Sequence, residues 1–299
     1  MPQPSEWAQL DTARLLLALT VAIGHANYIF LTPLGFAAGF WQWAAWIAVL
    51  IFFVVSGLVI SRSLRIRRDG FIPFMLRRVR RIYPPLLVCF ALMLAIEALL
   101  QSASISTEPI SGTTIEGFYF DLPRAALCLA TFGFRGWLAS DANVALWSLA
   151  IEMRCYVVAG LAGQLFQTRN RIVQAMAAAG LVYVLILLAH DRLDLQITTS
   201  YAAFAFGCVI GLTITRLPKV LPVVPIDISY SLYIFHFPIM LALFLAFYRP
   251  FLPTTTTAIA LSGAAILTTS AVAWCSAKFI EPIRFPKIKF GQIGAAQEG

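Results

Sequence analysis

Three ionisable side chains stand in apolar sequence, where a charge is costly and marks a candidate functional group: Arg14, His25 and Glu152. Arg14 and His25 are eleven residues apart. On a helix this brings them within about 20° of one face and about 16 Å apart. A cation at one depth and a proton-transferring group three turns deeper suit a shared ligand path; a plainer use for His25 is a hydrogen bond between helices. Glu152 shares a face with Ser148 and Tyr156 at i±4 spacing. A buried carboxylate needs a partner, and Arg154, two residues on, diverges around the helix. That leaves an arginine elsewhere or a role in chemistry. Ser229, Tyr230, Ser231, Tyr233 and His236 open a later apolar run. Tyrosines there fit interfacial anchoring, and a structural use is expected for His236.

Other chemistries find little support. G-x-S-x-G, H-E-x-x-H, P-loop and G-x-G-x-x-G patterns are missing, and the five cysteines show no C-x-x-C spacing. Neither a metal site nor a disulfide framework is expected.

These residues need elements to hold them, and composition says which. The 299 residues are 60% hydrophobic and 12% charged, with mean hydropathy +0.82. A soluble domain is about 25% charged, so the expected class is all-α: a polytopic helical membrane protein. At about 20 residues per span, roughly eight to ten transmembrane helices exhaust the chain as one domain over 1–299, with no room for an appended soluble domain. Eight apolar runs, 10–31, 41–60, 83–100, 145–166, 172–189, 198–215, 228–248 and 255–279, read as spans. A ninth, 123–138, is interrupted by Gly133, Arg135 and Gly136, which leaves a full span, a re-entrant segment or a surface helix open. Glu6 and Asp11 argue against reading the start as a signal peptide. The pairs Gly35/Gly39 and Gly207/Gly211 predict close helix packing.

Charge sets the orientation. Between Ser61 and Ile82, eight arginines face Asp69 alone, which is +7 of the net +8. The segment reads as a hydrophilic loop on the cytoplasmic side, also suited to an anionic cofactor or lipid headgroups. Nucleic acid is a poor fit there. If 123–138 does not cross, Arg169, Arg171, Arg216, Lys219, Lys278, Arg284, Lys287 and Lys289 fall on that side, and Glu108, Glu116 and Asp121 on the other. Both termini are then expected in the cytoplasm, with 285–299 as a short tail.

Five ordered blocks resemble a known family. Arg14, ten residues and His25 resemble an Arg-x10-His signature. Phe52-Phe53-Val54-Val55-Ser56-Gly57 resembles Phe-Phe-x-x-Ser-Gly. An Arg-x-x-Arg element fits either Arg77 with Arg80 or Arg78 with Arg81. Trp147-Ser148-Leu149 with Glu152 resembles Trp-Ser-Leu-x-x-Glu, and Ser229-Tyr230-Ser231-Leu232-Tyr233 with His236 and Pro238 resembles Ser-Tyr-Ser-Leu-Tyr-x-x-His-x-Pro, followed by Glu281-Pro282. The set is similar to the bacterial membrane-bound acyltransferase 3 family, which O-acylates cell-surface carbohydrates. Met153 and Arg154 depart from its usual pattern.

The resemblance implies an acyl-CoA donor, acetyl-CoA foremost, with no permanently bound cofactor, a carbohydrate or glycolipid acceptor, and an inner-membrane location. It implies His25 as general base, with Glu152 orienting or charge-stabilising its imidazole. Arg14, Arg77, Arg78, Arg80 and Arg81 would bind acyl-CoA, whose phosphates suit arginine forks. Ser148, Tyr156, Tyr230, Tyr233 and His236 would line the substrate path. A transporter or flippase of lipid-linked sugars, or a non-catalytic scaffold, is the competing class; transport would move substrate without releasing CoA.

Overall fold

The computed structural model describes residues 4–37, 39–68, 70–107, 117–190, 195–214, 221–224, 226–248 and 254–281. Long apolar stretches have no water to satisfy their backbone groups in a bilayer, so they close their own hydrogen bonds as helices. Nine α-helices are found among the described residues: α1 (Pro4–Ala26), α2 (Gly39–Arg67), α3 (Phe71–Ser102), α4 (Leu122–Ala130), α5 (Trp147–Gln167), α6 (Arg171–His190), α7 (Leu195–Thr213), α8 (Ser229–Leu243) and α9 (Thr255–Phe279). All but α4 belong to stretches long and apolar enough to cross a membrane. The eight expected spans are therefore present. α5 and α8 are the most buried, while α6, α7 and α9 expose most of their surface, including Met176, Phe206 and Leu267. The core runs between α1, α2, α3, α5 and α8.

The arginine segment is not a loop. α2 continues to Arg67 and α3 starts at Phe71, so Arg77, Arg78, Arg80 and Arg81 ride on the second and third turns of α3. Arginine is a good helix former, and a helix that projects past the hydrocarbon needs no apolar residues there. Contacts gather that end of the bundle. Arg62 and Arg65 donate to the carbonyls of Ile214 and Leu212, Gln167 donates to Leu64, and the Phe71 amide donates to Gln164. Thr12 donates to the Pro222 carbonyl, and Ser231 donates to Glu281.

The ninth run does not cross. α4 has nine residues, about 13 Å against a core of about 30 Å. The chain then reverses through Gly133 and Gly136, whose φ values of 86° and 70° are open to glycine. A Cβ at Gly133 would also strike the Ala150 carbonyl. The returning strand of chain closes on the outgoing one where the Ala142 amide donates to the Tyr119 carbonyl. The excursion is a re-entrant hairpin held against the bundle: Tyr83 on α3 donates to Leu129, and Arg154 on α5 donates to Gly133.

Glycine spacing divides as well. A Cβ at Gly207 would overlap the Val54 carbonyl, and one at Gly57 the Phe204 carbonyl, so α2 and α7 approach backbone to backbone. Gly35 and Gly39 meet nothing within 4 Å and pack no helix; Gly35 instead takes a left-handed turn, φ 86°. The expected tail 285–299, with Arg284, Lys287 and Lys289, lies outside the described residues, as do Arg216, Lys219, Glu108, Glu116 and Pro282.

Candidate active site

One cavity of about 90 Å3 collects most of the candidate residues. Arg14 of α1, Arg78 and Arg81 of α3, Ser148, Glu152 and Tyr156 of α5, and Tyr230 and Tyr233 of α8 all line it. α3 carries Pro84 and Pro85 beside this cavity; neither supplies an amide hydrogen to the turn before it. One turn of α3 also decides between the two arginine pairs. Arg78 and Arg81 line the cavity, whereas Arg77 and Arg80 are not among its lining residues.

The arginine end is polar. Arg14 pairs with Asp11 at 3.2 Å, and Arg81 lies 3.6 Å from Asp227. Asp227 also accepts from the Ser229 amide at 3.0 Å, which fastens the start of α8. Arg78 stacks over the rings of Phe74 and Tyr156, 5.3 and 5.7 Å from their centroids, while its buried Nε has no hydrogen-bond partner. Such a cation keeps its donors available to an anion. Just past α9, burial holds the Glu281 carboxyl above the ordinary glutamate value, against the opposing 2.6 Å hydrogen bond from Ser231.

Further in, Glu152 has two donors on one oxygen. Ser56 Oγ lies 2.6 Å and Tyr156 OH 2.5 Å from Oε1; Oε2 accepts from no described residue. Ser56, which was not nominated, carries its own sequence signal as the hydroxyl within Phe-Phe-x-x-Ser-Gly. Beyond Glu152, Tyr233 donates to the Ala145 carbonyl at 3.0 Å, so Ser148 donates to Tyr233 across 2.7 Å. Tyr230 donates to Ile82 and ties α8 to α3.

Arg14 and His25 do share one uninterrupted helix, yet His25 does not line this cavity. It lies behind Tyr233, paired with His236: Nδ1 of His25 is 2.8 Å from Nε2 of His236, and the rings stack with centroids 5.0 Å apart. Tyr233 packs on His236 at 5.8 Å. This corrects the expectation for Glu152, which does not touch His25. The two are held apart because Glu152 faces Ser56 on α2, whereas α8 supplies the partner of His25.

One assignment of tautomers satisfies both contacts of the pair. Nδ1 of His236 is 3.3 Å from the Leu232 carbonyl, an acceptor only, so it carries the hydrogen. Nε2 of His236 then accepts from Nδ1–H of His25. Nε2 of His25 is left with its lone pair, the form a general base requires.

The backbone is irregular around this pair. A π-helical turn, Asn27–Leu31, follows His25 immediately, and such turns recur at functional sites. Pro238 removes the amide that would serve the Ile234 carbonyl. Asn143 of the re-entrant hairpin takes that carbonyl at 2.8 Å, and Cys89 takes it at 3.2 Å. Arg154, named above only as a departure from the family pattern, is the second anchor of this hairpin. Its Nε reaches the Gly133 carbonyl at 2.6 Å and its guanidinium lies over Phe134.

Comparison with known proteins agrees with this arrangement. The family described as "Acyltransferase domain" matches residues 7–226, so Ser229 to His236 lie just beyond the matched region. An O-acetyl transferase of Shigella phage Sf6 is 34% identical over 155 residues, 51% of this chain and 44% of that protein. Nodulation protein 10 of Rhizobium leguminosarum bv. viciae is 31% identical over 189 residues, 57% of this chain and 48% of that protein. The matches thus span about half the length of these curated relatives. No solved structure matches the chain. With the family matched across most of its length and eight stretches able to span a bilayer, the chain is a multi-pass membrane protein that belongs to the acyltransferase 3 family.

Proposed function

We propose that this protein is a membrane O-acyltransferase that moves an acyl group from acyl-CoA to a hydroxyl of a carbohydrate or glycolipid. The observation that carries the reading is the cavity that starts among Arg14, Arg78 and Arg81, passes Glu152, and stops at Tyr233 against the histidine pair. The phosphates of CoA would sit at the arginine end, with Arg77 and Arg80 alongside on α3. The open oxygen of Glu152 would accept from an amide of the pantetheine arm, which makes Glu152 a donor-binding residue. The phage relative named an O-acetyl transferase makes acetyl the first acyl group to test.

In the reaction, Nε2 of His25 takes the proton as the acceptor oxygen attacks the thioester carbonyl. The C–S bond breaks, the thiolate leaves, and the imidazolium returns the proton to it. The products are an ester and free CoA. His236 acts as a positioning residue by fixing the His25 ring and its tautomer. Ser148, Tyr156, Tyr230 and Tyr233 shape the path.

The arginine end belongs in the cytoplasm of the inner membrane by the positive-inside rule. Eight crossings then return the chain to that side, with both termini cytoplasmic. A reporter fused after Gly299 and found in the periplasm would overturn this orientation.

The deciding experiment gives purified protein labelled acetyl-CoA and scores free CoA and label on candidate glycans. Expected is CoA release with glycan labelling, and its loss by about 10² to 10⁴ in folded His25→Ala. Sugar movement without CoA release would favour a transporter, and a fully active His25→Ala would refute the base assignment.

A further inference from the structure

A second cleft, about 530 Å3 and so larger than the cavity above, opens between α2, α5 and α7 at the arginine end of the bundle. Ile60, Leu64, Ala159, Ala162, Phe166 and Leu212 form its apolar walls. Phe166 and Leu212 are 83% and 53% exposed at its rim, so it opens outward, where lipid surrounds a membrane-spanning bundle. Its charges are confined to one end, at Arg65 and Arg68, beside Gln167.

That end carries cations that have no counter-ion among the described residues. Arg65 spends one donor on the Leu212 carbonyl at 3.0 Å, and the guanidinium of Arg68 makes no hydrogen bond or ion pair with any described residue. Arg68 also leaves the helix with φ 50°, at the end of α2. The cleft has a matching depth. From Gln167 to Ala159 is eight residues, about 12 Å along α5, close to the roughly 15 Å of hydrocarbon in one leaflet. Small residues keep it open: Ala159, Ala162 and Gly163 lie on one stretch of α5, and a Cβ at Gly163 would press on Leu64 at 3.1 Å.

We propose that this cleft is a binding site for one anionic phospholipid, with its phosphate held by Arg65 and Arg68 and an acyl chain lying along Ala159 and Ala162. Charge selects the headgroup, and the small-residue wall admits the chain. A flat basic surface would do only the first. The site is separate from the proposed donor cavity, with Ile60 bordering both.

Native mass spectrometry of the delipidated full chain tests it, with phosphatidylglycerol and phosphatidylcholine of identical acyl chains as probes. Wild type should retain one phosphatidylglycerol at concentrations where phosphatidylcholine is lost. Arg68→Gln, which removes no contact within the protein, should weaken that retention about fivefold, the worth of one basic residue at an anionic surface. Ala162→Trp, folded by its Tm, should expel both lipids. Equal retention of the two lipids, or unchanged retention in both variants, would overturn the proposal. So would displacement of phosphatidylglycerol by acetyl-CoA, which would assign the cleft to the donor. Retention is read without turnover, so the outcome is independent of the acyltransferase reading.

Discussion

α5 presents two charges two residues apart, and they serve opposite ends. Glu152 faces the cavity, where both of its hydrogen bonds fall on one oxygen and the other is left for a ligand. Arg154 faces the re-entrant hairpin, buried, with its donors directed at Gly133 and Tyr201 and its plane over Phe134. Both are costly charges inside a membrane span, so cost alone does not mark a reactive group. What separates them is saturation: the protein uses up Arg154 and leaves half of Glu152 open.

The largest effect expected from this contrast is on stability. Arg154→Met strips the Gly133 carbonyl of its buried donor and loosens the hairpin, a loss of about 3 kcal/mol. Thermal unfolding in detergent should show a clearly lowered Tm, while the activity per folded molecule stays near wild type. Glu152→Gln should do the reverse. Its amide oxygen still accepts from Ser56 and Tyr156, but a donor replaces the open acceptor. Turnover of acyl-CoA should fall roughly ten- to a hundredfold, the worth of a charge-assisted hydrogen bond, with Tm kept. A Glu152→Gln protein that unfolds early yet turns over normally would erase the distinction.

Arg78 belongs to the Glu152 side, stacked on Tyr156 with a free Nε. Arg78→Ala should raise the apparent KM for acyl-CoA about tenfold, the loss of one such phosphate contact, with a smaller change in kcat. An unchanged KM would leave the arginines of α3 with orientation as their only use.

Much of this was legible in the sequence because it is local. A continuous apolar run dictates a helix, and helical periodicity alone set Arg14 beneath His25 and Glu152 beside Tyr156. The convergence of Arg78, Arg81, Ser148, Tyr230 and Tyr233 on one cavity was also within reach through their ordered blocks. Pairings across long separations were not. His25 and His236 are 211 residues apart, and two lone histidines in two spans were their only shared signal. Hydropathy falls across the arginine segment and so suggests a loop, although arginine sustains a helix beyond the bilayer. The hairpin was ambiguous because nine helical residues specify little until Arg154 and Asn143 hold them.

The smallest effect concerns the anchor at Asn143. Pro238 leaves the Ile234 carbonyl without its helical donor, and Asn143 Nδ2 and the Cys89 thiol both supply one. Asn143→Ala removes the stronger donor but leaves the thiol, so the carbonyl is not orphaned. The cost should be about 1 kcal/mol, a modest drop in Tm well short of that for Arg154→Met. Cys89→Ala added to Asn143→Ala should cost more than the two single changes together, because only the double variant strands a buried acceptor. Simple additivity would mean that the Ile234 carbonyl finds relief elsewhere and that the hairpin is anchored without Asn143.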